Sequence, residues 1–183
     1  MSSSAVLEAL ARAAVDATGA ARGWIVAPDG DQLRVVAAAG DRPGDALDLT
    51  VPSDGGSAAF VIQSGQALAL TARAGDRRVT AGVAAALGQP PTSVLCVPCL
   101  GDDEVLGALE VVDAVAGAFT VDDVEVVTLL GGIAGAALAE AGEGPGPVPD
   151  PAELGAELAQ LAAAEPARYA VVAAVVRELL ARG

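Results

Sequence analysis

Apolar residues recur along the chain with two different periods, and the switches between them divide it into elements. Over residues 5–18, Val6, Leu7, Leu10, Ala14 and Val15 fall at helical spacing on one broad face. This predicts an amphipathic helix with Ser4 as its cap and Gly19 as its stop. The period then shortens to two. Residues 22–27 and 32–38 read as strands joined through Pro28-Asp29-Gly30-Asp31, an antiparallel hairpin. Residues 39–56 are rich in Gly, Pro and Asp and read as loop, with enough alternation over 47–51 for a short edge strand. Ser57 is placed to cap a brief helix over 58–64 closed by Gly65, and 67–70 is a short strand.

Residues 71–92 are a long connection carrying Arg73, Arg77 and Arg78, a helical turn around 81–87, and Pro90-Pro91, which force an extended exit. Two further strands, 93–99 and 105–112, flank a turn over 101–104, and the second is apolar enough for the centre of a sheet. A long helix follows from Thr120, its cap, to about residue 141, with Asp122, Asp123 and Glu125 at the positive end of its dipole. Gly131, Gly132 and Gly135 lie on or near one face of it. They cost helix propensity and predict that another helix approaches closely. Residues 142–150 form a Pro/Gly linker. Two short helices are predicted beyond it, over 151–164 and 166–182, with Pro166 opening the second. There Val171, Val172, Val175, Val176, Leu179 and Leu180 make a wide apolar stripe that must dock somewhere. The expected organisation is a domain over 1–141, the linker 142–150 and a helical tail over 151–183.

Composition narrows the chemistry. Hydrophobic residues make up 53% of the chain and aromatics 2%, so the core must be built from small aliphatic side chains. The sequence contains no His, Lys or Asn. That removes imidazole-based triads and ligand sets, Schiff bases and the usual phosphate-binding loop. A net charge of −14 repels nucleic acid and anionic membranes, neither of which is expected as a partner. The longest strongly apolar stretch, 126–139, is broken by glycines and shorter than the ~18–20 residues that span a bilayer. The N-terminus lacks the basic start and apolar centre of a secretory signal, so a cytoplasmic location is expected.

Cys96-Val97-Pro98-Cys99 invites a redox or metal reading. Three residues of extended strand span ~10 Å, however, against the ~7 Å that a disulfide allows between Cα atoms. Zinc would need ligands from elsewhere, and the chain has no further Cys or His to supply them. A passive role is favoured, with at least one cysteine serving as a small buried hydrophobe.

The order of elements, together with particular words, resembles the GAF domain family over residues 5–141. PTSVLCVPCLGDDEVLGALEVVD at 91–113 and FTVDD at 119–123 are similar to the family's central hairpin and the entry to its last helix. LTVPSDGGSAAFVIQSG at 49–65 is similar to its glycine turn and short helix. The resemblance implies an α/β (α+β) fold: a central antiparallel sheet with the N- and C-terminal helices on one face, plus the C-terminal helical tail. It also implies a ligand cavity on the other face beneath 71–92. Trp24, Phe60, Arg73, Arg77, Arg78, Cys96 and Asp113 are then the candidate ligand residues, and Trp24 and Phe60 also serve as space-fillers. Against the cyclic-nucleotide signature Asn-Lys-Phe-Asp-Glu, the chain offers Asp113 and Ala114, keeps Phe119 and Asp123, and ends on Val124. No particular cofactor is singled out.

The expected function is therefore a regulatory sensor that binds a small molecule and signals by homodimerisation or through a separate output protein. Gly131, Gly135, Val172, Val176 and Leu179 are the candidate docking residues. The alternatives are a ligand-free dimerisation scaffold and, further off, a thiol-dependent methionine sulfoxide reductase. The family's reductases carry their cysteines on separate segments, which the adjacent pair here does not reproduce. A non-enzyme is expected.

Overall fold

The computed structural model describes residues 2–72, 76–102, 104–142, 151–166, 168–170, 172–173 and 177. The chain divides into two units, Met1–Glu143 and Gly144–Gly183. In the first, helix α1 (Ser3–Thr18) starts earlier than its apolar pattern suggests. Ser2, not Ser4, is the cap, and its hydroxyl accepts the Ala5 N–H at 3.4 Å. Gly19 closes the helix in the left-handed conformation, φ 62°, donating to Val15 O.

Strands β1 (Ala20–Asp29) and β2 (Gln32–Gly40) pair from Arg22↔Gly40 to Asp29↔Gln32, leaving Gly30 and Asp31 as the turn. Then come β3 (Thr50–Pro52), helix α2 (Gly56–Ser64) and β4 (Leu68–Thr71). The insertion holds two single-turn helices, α3 (Arg77–Thr80) and α4 (Val83–Ala86), where the sequence suggests only the latter. β5 (Ser93–Leu100), β6 (Val105–Ala114) and helix α5 (Val121–Gly142) complete the unit. The six strands form one antiparallel sheet in the order β3-β2-β1-β6-β5-β4.

Strand alternation sends successive side chains to opposite faces, and each face has its own core. Ile25, Leu95, Val97, Leu109 and Val111 pack against α1 and α5. Trp24, Val26, Val94, Cys96, Ala108 and Val112 pack against α2 and the insertion. β2 serves both cores because its register against β1 shifts between Ile25 and Val26. That bulge turns Leu33 and Val35 to one side and Ala37 and Ala39 to the other.

α5 opens with reciprocal capping. Thr120 N–H donates to Asp123 Oδ2 at 2.7 Å, and Asp123 N–H donates to Thr120 Oγ1 at 3.2 Å. The expectation that its glycines admit another helix is corrected, because Gly131 and Gly135 lie against strand β5. A Cβ on Gly131 would sit 2.8 Å from Val97 Cγ2, and one on Gly135 would fall on the Leu100 backbone, with Leu100 N at 2.7 Å. Gly132 faces open space. At 22 residues α5 is long and apolar enough to cross a membrane by length and composition alone, which the shorter stretch in the sequence does not suggest. Its inward face, Val127, Gly131, Ala134, Gly135 and Leu138, is buried in this domain. Its outward face exposes Val121, Val126, Leu129 and Ile133.

The second unit carries α6 (Pro151–Ala164), and helical backbone recurs at 166, 168–170, 172–173 and 177. Val172 is half-buried; Val176 and Leu179 lie outside the described residues.

Candidate functional site

The centre of the sheet's second face carries one charged residue. Cross-strand register sets Trp24 (β1) and Cys96 (β5) on either side of Glu110 (β6), in one row across the sheet. Above them lies the first turn of α2. Ser57, placed by the sequence as a helix cap, lies inside α2 instead. Gly55 is the cap, without a side-chain bond, and the buried Ser57 hydroxyl donates to Glu110 Oε2. Trp24 Nε1 donates to Glu110 Oε1 at 3.2 Å, and Cys96 lies directly across from Glu110 on β5. Burial pushes the Glu110 carboxyl above its ordinary value, against the pull of its neighbours Ser57, Cys96 and Trp24. The two donors come from different elements, so the carboxyl ties α2 and β1 to β6.

A second polar group lies at the end of β6. Arg22, itself buried, donates to Asp113 Oδ2 at 2.6 Å and to Gln89 Oε1 at 3.0 Å. Asp113 Oδ1 accepts from Thr92 N–H at 2.7 Å and from the Thr92 hydroxyl at 3.0 Å. Partial burial raises the Asp113 carboxyl, but the Thr92 and Arg22 bonds outweigh it and hold the group below its ordinary value. The Arg22 guanidinium also lies 5.9 Å from the centre of the Trp24 ring.

Of the candidate ligand residues, the structure brings Trp24 and Cys96 together on Glu110 and commits Asp113 to Arg22 and Thr92. Phe60 is 40% exposed and shares a surface crevice of about 190 Å³ with Arg78, Asp54 and Gln63. Arg78 is held by Asp76, which accepts its Nε and guanidinium N–H at 3.0 and 2.7 Å. Arg73 and the Arg77 side chain lie outside the described residues.

The resemblance implies a cavity beneath the insertion; among the described residues, 76–92 pack directly on the face there. Val79, Val83 and Ala84 of the insertion and Val61 of α2 bury themselves against Trp24, Val94, Cys96 and Val112. The reason is steric, since small aliphatic side chains with one indole interdigitate at the density of a core. Backbone contact adds to this packing. Gly56, at φ 86°, faces Gly82 so closely that a Cβ there would meet Gly82 Cα at 2.9 Å.

The cysteines do not face each other. Cys96 belongs to the core under α2 and Cys99 to the core under α1 and α5, so the two point to opposite faces of one strand. Burial raises both thiols, Cys99 to about 12. Among the described residues no cluster of three or more His, Cys, Asp or Glu is placed to hold a metal.

Sequence reasoning missed Glu110 and Arg22. Glu110 had a signal, a lone acid inside the apolar run Val105–Ala114 of a central strand. Arg22 had none, because its partners lie 67 and 91 residues away.

The sheet order, the helical layer and the words at 49–65 and 91–123 converge on one class, and the family model described as GAF domain matches residues 1–139. The chain belongs to the GAF domain family, whose members are generally small-molecule-binding regulatory domains. Among curated proteins none matches it. Solved structures that share the fold include the GAF-B domain of DevS from Mycobacterium smegmatis, 22% identical, covering 77% of this chain and 96% of that one with a TM-score of 0.60. The GAF domain of an Acinetobacter phosphoenolpyruvate-protein phosphotransferase is 18% identical, covering 81% and 89%, with a TM-score of 0.67. A type II free methionine-R-sulfoxide reductase from Thermoplasma acidophilum is 10% identical, covering 75% and 93%, with a TM-score of 0.60.

Proposed function

We propose that the chain is a cytoplasmic, non-catalytic regulatory GAF module that works as a homodimer, paired through the outward face of α5, and passes its state to a separate output protein. The observation that carries this reading is the two-sided apolarity of α5. Its inward stripe is spent on β5. Its outward stripe, Val121, Val126, Leu129 and Ile133, is 73, 40, 72 and 54% exposed. Val126, Leu129 and Ile133 follow one another at the three- and four-residue steps of a helix–helix seam, with Gly132 between the last two. An exposed helix gains nothing by keeping such a stripe in water. Pairing also brings together two chains of charge −14, so association strengthens as salt screens them.

Light scattering after size exclusion tests this on the full chain. A dimer is expected that dissociates on dilution at low salt, whereas Leu129→Glu with Ile133→Glu gives a monomer with unchanged circular dichroism. A dimer that survives both substitutions refutes the α5 interface. Removing residues 151–183 measures the tail's share, including that of Val172, Val176 and Leu179.

A second reading, a small molecule admitted beneath residues 76–92 when that packing parts, is favoured by the Glu110 cluster, a buried carboxyl among the side chains on which the insertion packs. Native mass spectrometry of protein from its own host would detect such a ligand. A mass equal to that of the bare chain, or of its bare dimer, counts against it.

A further inference from the structure

The insertion is held to the sheet by side chains at its exit and by backbone contact at its middle. At the exit, Gln89 and Thr92 flank Pro90-Pro91, neither of which has an N–H to offer a neighbouring strand. The Arg22–Asp113 ion pair takes over that role, with Arg22 holding Gln89 and Asp113 holding Thr92. At the middle, Gly82 rests on Gly56 and Ala81 on Gly55. These are approaches of small groups that separate without unthreading side chains. Among the described side chains of residues 76–92, Val79, Val83, Ala84 and Pro91 are buried, with Leu87 partly buried beside them. The exit is also connected to the centre of the face. Arg22 stacks over Trp24, Trp24 bonds Glu110, and Glu110 bonds Ser57 at the start of α2.

We propose that residues 76–92 are a hinged cover, latched by the Arg22–Asp113 pair, whose release exposes Trp24 while the sheet stays intact. Opening unpairs no strand of the sheet, and the cover's two one-turn helices contribute few bonds of their own, so opening takes less free energy than unfolding the domain. Opening uncovers the row Trp24–Glu110–Cys96. The latch goes beyond the dimer reading and does not depend on it: it predicts motion whether or not the chain pairs.

The single tryptophan makes the test direct. In the full-length wild-type chain, Trp24 is expected to be shielded from acrylamide, and the amides of Val79, Ala86 and Leu87 to exchange with solvent at least about tenfold faster than those of β1 and β6. Asp113→Asn removes the charge from the latch without touching Trp24, and Asn tolerates the left-handed conformation at that position, φ 60°. It is expected to raise the acrylamide quenching constant at least about threefold and to speed exchange across 76–92 alone. Gln89→Ala, which removes only the outer bond to Arg22, shifts both readouts in the same direction by less, and it decides the matter if Asp113→Asn does not fold. Quenching that stays at the wild-type value in a folded variant overturns the proposal. So does exchange of the cover in step with β1 and β6.

Discussion

Gly135 gives the most exacting test of how α5 meets the sheet. In Gly135→Ala the new methyl carbon falls on the Leu100 carbonyl, with Leu100 C at 2.6 Å and Leu100 N at 2.7 Å. All three atoms are backbone, so no side chain can turn aside. Relief requires α5 to retreat by about 1 Å, which loosens Val127, Ala134 and Leu138 along the same face. Overpacking of this kind costs about 3 kcal/mol, and replacing a helical glycine by alanine returns about 1 kcal/mol, leaving a net loss of roughly 2 kcal/mol. For a domain of this size that lowers the melting temperature by about 7 °C. Gly132→Ala is the internal control, because its Cβ meets nothing and only the propensity gain remains, a rise of about 3 °C. Differential scanning calorimetry at protein concentrations low enough to keep the chain monomeric reads both. If Gly135→Ala melts at or above the wild-type temperature, α5 does not lie on β5 as described.

The buried carboxyl makes a prediction about pH. Glu110 titrates above its ordinary value of 4.5 in the folded chain, so stability falls as pH rises from 4.5 through the folded value and is flat beyond it. Asp113 works in the opposite sense: its contribution is present above 3.8 and is lost as pH falls through its depressed folded value. Urea unfolding from pH 4.5 to about pH 8 is expected to show Glu110→Gln gaining on the wild type as pH rises; a constant difference across that range refutes the assignment. The thiols give a further test, since Cys96 and Cys99 are fully buried and raised. Both are expected to resist a thiol reagent in the folded chain and to react fully in denaturant. Rapid labelling of either one while the chain is folded would revive the reductase reading.

Much of the fold was legible because its signals are local. The hairpin expected over 22–38, the Gly19 and Gly65 stops and the Thr120 cap depend on neighbours within a few residues, and backbone conformation at such sites follows from residue type. Where local logic failed, a distant partner had claimed the group. Ser57 gave up a capping role to reach Glu110, and the glycines of α5 proved to accommodate a strand instead of a helix.

The sequence by itself determined the class of fold, the small-aliphatic core and the exclusion of imidazole and lysine chemistry, because each depends only on which residues are present and at what period. Tertiary structure alone decided that Glu110 and Arg22 are the polar centres of the second face, that Cys96 and Cys99 point apart, and that the described part of the insertion, 76–92, packs on the sheet. Those outcomes depend on cross-strand register and on contacts 53 to 91 residues apart, which no local pattern encodes.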